Sequence, residues 1–133
     1  MNITVIGSFK KYYEDICNLI DLMDKHGVRV LSPKKSRIVE NIEGFVILES
    51  DDRNCQPYVI QEHVFDNISK SNYVYVWNPG GYLGNSTCYE IGKIMGMEIP
   101  LFFKESPKDL PLKVDDCQIK NPSEFIEYLF CKK

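Results

Sequence analysis

The chain has 133 residues, 44% of them apolar and 26% charged, with a formal net charge of -3. That length fits one domain, which buries roughly two-thirds of its unfolded surface and needs no staple. The charge leaves no basic footprint for a nucleic-acid polymer, and no apolar run is long enough to span a membrane.

Taken in chain order, residues 3–6 form a β-branched run that ends at Gly7-Ser8, and Ile16, Leu19, Ile20 and Met23 then repeat at the spacing of one helix face. The helix is expected to stop at Gly27, a favoured residue just past a helix end, with a second strand at 28–31 closed by Ser32-Pro33. From Ser36 to Pro57 the pattern weakens. Residues 45–48 fit a short strand, 49–54 read as a polar loop, and Asp51-Asp52-Arg53 there is a solvated turn or a lid. After Pro57, Val59, Ile60, Val64, Phe65 and Ile68 fit a helix that ends near Ser71-Asn72, before a strand at 73–77. A glycine-containing loop, 78–84, leads into a helix over about 86–95, carrying Tyr89, Ile91, Ile94 and Met95 and stopping at Gly96. A strand at 99–103 follows. The last helix opens with Asn121 as N-cap, Pro122 at its first position and Glu124 three residues after the cap, and carries Phe125, Ile126, Leu129 and Phe130.

Alternating strands and helices require crossovers, hence a parallel sheet covered on both faces: a single doubly wound α/β domain of flavodoxin-like or Rossmann-like type, 1–133. Ligands of such sheets bind outside the carboxyl ends of the strands at the topological switch point. In the expected strand order 2-1-3-4 that point lies between the first strand and the strand at 73–77 and brings together the loops 7–13 and 78–87. The five cysteines, Cys17, Cys55, Cys88, Cys117 and Cys131, are scattered without a C-x-x-C pair, so neither a zinc signature nor a disulfide framework is expected. The opening MNITVIGSFKKYY lacks the features of a signal peptide, and a reducing cytoplasm is the expected setting.

The first loop has one glycine, Gly7, and no G-x-G-x-x-G. No G-x-x-x-x-G-K-[ST] occurs either, which argues against a nicotinamide enzyme and a P-loop. Gly7-Ser8 with Lys10 or Lys11 can present amides, a hydroxyl and charge to a sugar or phosphate, or can be a plain turn with solvated lysines. The loop before the 86–95 helix can likewise bring backbone amides close to an anion. Glu90 has two readings. Thr87-Cys88-Tyr89-Glu90 matches the T-x-x-E capping box, in which the carboxylate only caps its helix. Alternatively the helix start keeps Glu90 ionised and aimed into the cleft as a nucleophile. Glu62, His63 and Asp66 share one helix, but no metal-ligand spacing recurs elsewhere and no metal or other cofactor is expected.

Three stretches carry a family resemblance: Ile3-Thr4-Val5-Ile6-Gly7-Ser8, then Asp66-Asn67-Ile68 followed by Asn72-Tyr73-Val74-Tyr75-Val76, and Gly84-Asn85-Ser86-Thr87-Cys88-Tyr89-Glu90-Ile91-Gly92. Together they resemble the nucleoside 2-deoxyribosyltransferase superfamily, including its 2'-deoxynucleoside 5'-monophosphate N-glycosidases. The resemblance implies a retaining mechanism on an N-glycosidic bond, with Glu90 as nucleophile and Asp66 as the supporting carboxylate. It implies that Ser8, Gly84, Asn85, Ser86 and Thr87 hold a 5'-phosphate, that Gly7, Phe9, Lys10, Tyr12 and Asn78 complete the substrate site, and that two copies pair as a homodimer. Tyr12, Tyr13, Trp77 and Tyr82 are candidate stacking partners for the base.

The chain departs from the transferases in having Gly80 and Gly81 in the loop where they carry an acidic residue, and Asn72 at the strand start. It also lacks their longer C-terminal region, which favours hydrolysis over transfer. Pro79-Gly80-Gly81-Tyr82 with Thr87 and Glu90 is also similar to a stretched P-G-G-x-G-T-x-x-E motif of cytokinin-activating phosphoribohydrolases. Both families cleave a nucleotide's N-glycosidic bond, so the expected partner is a small nucleoside or nucleotide. The alternative is a sensor that holds a nucleotide or an ADP-ribose-like ligand without turnover.

Overall fold

A computed structural model describes residues 1–34, 38–42, 45–48, 56–108 and 110–131, with 38–42 and 45–48 described by backbone alone. The first strand, β1 (Asn2–Gly7), feeds helix α1 (Phe9–Lys25), whose buried side chains are Ile16, Leu19, Ile20 and Met23, the face expected from their spacing. Gly27 ends this helix at φ 77. Its N–H bonds the Asp24 carbonyl while the Val28 N–H bonds the Met23 carbonyl, a Schellman closure. Because Val28 is used in that closure, β2 begins one residue later than expected and spans Arg29–Ser32.

Two short antiparallel strands follow, β3 (Ile38–Ile42) and β4 (Phe45–Leu48). Only the second is expected from the sequence. A register shift between Ile38 and Glu40 breaks the alternation by which the first would be recognised. The polar stretch 49–54, Asp51-Asp52-Arg53 included, lies outside the described residues.

Helix α2 (Pro57–Ser69), strand β5 (Tyr73–Trp77), helix α3 (Asn85–Gly96) and strand β6 (Leu101–Phe103) complete the alternation. Strand β6 is shorter than the expected 99–103 because Pro100 has no N–H for the ladder and Glu98 sits at φ 59. Helix α4 (Pro122–Cys131) opens as its sequence indicates. The Asn121 side chain accepts from the Glu124 N–H at 2.8 Å, and the Glu124 carboxylate accepts from the Asn121 N–H at 2.9 Å.

The main sheet runs β2-β1-β5-β6, with every pairing parallel. One face packs against α1 and α4 through Ile3, Val5, Tyr75 and Phe125. The other packs against α2 and α3 through Ile6, Val74, Val76, Phe65 and Ile91. The fold is therefore the doubly wound parallel α/β sandwich. Three expected core positions lie outside it: Tyr89, Met95 and Phe130 are exposed. No helix among the described residues is long and apolar enough to cross a membrane.

Candidate functional site

The carboxyl ends of β1 and β5 meet closely, and Gly7 makes this possible. A methyl group placed there would lie 2.8 Å from the Trp77 carbonyl oxygen and 3.3 Å from Ile16. Ser8 then begins α1, and Gly84 begins α3, as their N-caps; neither helix start is capped by a side chain. A methyl on Gly84 would stand 3.8 Å from the Ser8 hydroxyl oxygen, so the two helix starts adjoin. Asn85 and Ser86 are exposed in the first turn of α3, whereas Thr87 is buried.

Beside them the Tyr12 and Tyr82 rings meet edge to face at 6.2 Å, and the Lys11 ammonium stands 4.3 Å from the Tyr82 ring centroid. Phe9 packs edge to face on Tyr13, and Lys10 is exposed. Tyr12 leaves helical geometry at φ -128, which kinks the first turn of α1. Trp77, a candidate stacking partner, packs instead with the α1 and α4 layer. There it lines a hollow of about 210 Å³ with Asp15, Asn18, Leu19, Leu22 and Pro122, on the sheet face opposite α3.

Glu90 does not cap its own helix. Helix α3 starts at Asn85 after Gly84, two residues before the Thr87 that a capping box would use, so Glu90 falls in the second turn. It is 8% exposed, and its Oε2 accepts a 2.7 Å hydrogen bond from the Gln61 Nε2 of α2, itself 7% exposed. Nor does the helix start hold it ionised. Burial pushes its pKa up to about 7, against the opposing pull of the Gln61 hydrogen bond. The result is a carboxyl poised to change charge near neutrality, ~9 Å along the helix axis from Gly84.

Asp66 is not brought to this carboxyl. It is exposed on α2, whose buried face carries Ile60, Gln61, Phe65 and Ile68. At 100° per residue, Asp66 projects from the opposite side, as do Glu62 and His63, both exposed. No cluster of three or more metal-ligating side chains occurs among the described residues.

The glycine loop is spent on bracing. Asn78 is fully buried, donating through Nδ2 to the Glu105 carbonyl at 2.8 Å and accepting through Oδ1 from the Glu105 N–H at 3.1 Å. One donor and the acceptor end of its amide are therefore engaged within the protein, and the side chain has no exposed surface. The Gly80 N–H donates to the Glu105 carboxylate at 2.6 Å and, with Lys104 and Lys108, holds that carboxyl below its usual range. The Lys108 N–H donates to the Gly81 carbonyl at 3.0 Å. The amides left for an anion are those of the helix starts, not of the Gly80-Gly81 pair.

Gln61 is the residue that sequence reasoning missed. Its signal was a polar side chain four residues before Phe65 and seven before Ile68, on an otherwise apolar stripe. Against family models, curated proteins and solved structures, the chain finds no match.

Proposed function

We propose that the protein cleaves the N-glycosidic bond of a nucleoside or nucleoside 5'-monophosphate, with Glu90 as nucleophile and water or a second base as acceptor. The observation that carries this reading is the buried Glu90 carboxyl held by Gln61, a carboxylate that is not consumed as a helix cap. In the first step a Glu90 oxygen bonds to the anomeric carbon as the bond to the base nitrogen breaks. The base leaves with that electron pair and takes a proton from water. In the second step water attacks the same carbon, releases the glutamate and gives up its proton to solvent; a base in place of water gives transfer. The adjoining starts of α1 and α3, with the Ser8 hydroxyl and the nearby Lys11 ammonium, suit a 5'-phosphate. A cytoplasmic homodimer belongs to the same reading, and sedimentation velocity checks the dimer.

Incubation with a panel of nucleosides and monophosphates, followed by chromatography for free base, tests the proposal. Glu90→Gln is expected to lower base release about a thousand-fold or more, as removal of a nucleophile does, while the fold persists. Full activity in that variant would refute it. The exposure of Asp66 away from Glu90 favours a second reading, capture of the same ligands without turnover. Saturable binding with no free base from wild-type protein is the result that would select it.

A further inference from the structure

Gln61 and Glu90 are nearly buried, sit in the second turns of facing helices, and join through a 2.7 Å hydrogen bond that occupies Oε2 of the carboxyl. We propose that Gln61 is the positioning residue of the site: it fixes the Glu90 carboxyl through Oε2 and leaves Oε1 as the atom that attacks the anomeric carbon. This rests on the glycosidic reading above.

A free glutamate side chain has three rotatable bonds, whereas a carboxyl tied at one oxygen between packed helices presents the other in a single direction. A glutamine suits the task because its N–H donates to the carboxylate without adding charge; a lysine or arginine would lower the nucleophilicity that the attack needs. It also favours the charged, attacking form over the protonated one, countering the burial that pushes Glu90 up. Other charges on the two helices stand aside. Glu62, His63 and Asp66 are exposed on the far side of α2, and Lys93, also exposed, holds its ammonium 4.2 Å from the Phe65 ring centroid.

The test is Gln61→Met, which keeps the length of the side chain and removes the donor, with Gln61→Asn as a second variant should the first not fold. Two readouts are taken across pH: base release, and the carboxyl carbon resonance of Glu90, identified by its loss in Glu90→Gln. Gln61→Met is expected to move the Glu90 titration and the acidic limb of the rate profile upward together by about one pH unit. It is also expected to lower the plateau kcat about ten-fold or more with KM little changed. A Glu90 resonance that titrates at the wild-type pH, or a rate limb that stays in place, overturns the role of Gln61. If the resonance moves but even wild-type protein frees no base, the pairing stands and the glycosidic reading falls.

Discussion

A carboxyl whose pKa is pushed up to about 7 ties the stability of this protein to pH in a direction opposite to that of most acidic residues. Between the ordinary glutamate range and neutrality, the folded chain keeps a proton that the unfolded chain has already lost. Stability from this group is therefore full below the ordinary value and is lost as pH rises through 7. Glu90→Gln cannot titrate, so its stability relative to wild type is expected to rise from pH 4 to pH 8, by on the order of 3 kcal/mol. Urea unfolding at both pH values measures this, and parallel pH dependence in the two proteins would contradict it. Under the proposed role of Glu90 as nucleophile, the same titration is expected to give base release an acidic limb near pH 7, because attack would require the ionised form. Such a group is expensive to keep buried and ionised, and a site that uses it trades stability for reactivity.

At the scale of elements, the loop after β5 is held by the segment after β6, and its two glycines differ in what they require. Gly80 has φ 66 with open space around it, so Gly80→Ala should cost about 1–2 kcal/mol, the left-handed backbone penalty alone. Gly81 has φ 80, and a methyl there would stand 2.5 Å from the Ser106 carbonyl oxygen, so Gly81→Ala should cost about 3 kcal/mol or more. Equal midpoints in chemical denaturation would mean that the brace carries no load. These loops also show how far the sequence could be read. Apolar spacing located α1 and the strand-helix alternation, and Asn121-Pro122-Ser123-Glu124 located the start of α4, because each signal is local. The start of α3 was less legible: Thr87 to Glu90 imitates a capping box, yet Gly84 opens the helix. The strand order was legible enough to bring the loops after β1 and β5 together, but the side-chain contacts between elements were not. Nothing in the spacing of Gln61 says that its amide meets Glu90 across two helices, nor that Gly80 serves Glu105 rather than a ligand.

For the whole molecule, the strand order has one further consequence. Because β1 and β5 are neighbours while α1 and α3 cover opposite faces, two helix starts emerge side by side at the carboxyl edge, both without a capping side chain. Their unpaired N–H groups and dipoles point the same way, so an anion held there stabilises the folded state alone. A nucleoside monophosphate at a hundredfold excess over its dissociation constant is expected to add ~2.7 kcal/mol, a rise in Tm of about 5–15 °C. The matching nucleoside, lacking the phosphate, should need a higher concentration for the same rise. Gly84→Asp separates this electrostatic account from general crowding of the cleft. Gly84 has φ -78, and a methyl on it makes only ordinary contacts at 3.8 Å, so the aspartate fits and can cap α3 itself. The variant should gain a few tenths of a kcal/mol without ligand. It should also lose the preference for monophosphate over nucleoside, since its own carboxylate then occupies the amides and repels the incoming charge. A Gly84→Asp protein that still prefers the monophosphate would place the anion away from these helix starts.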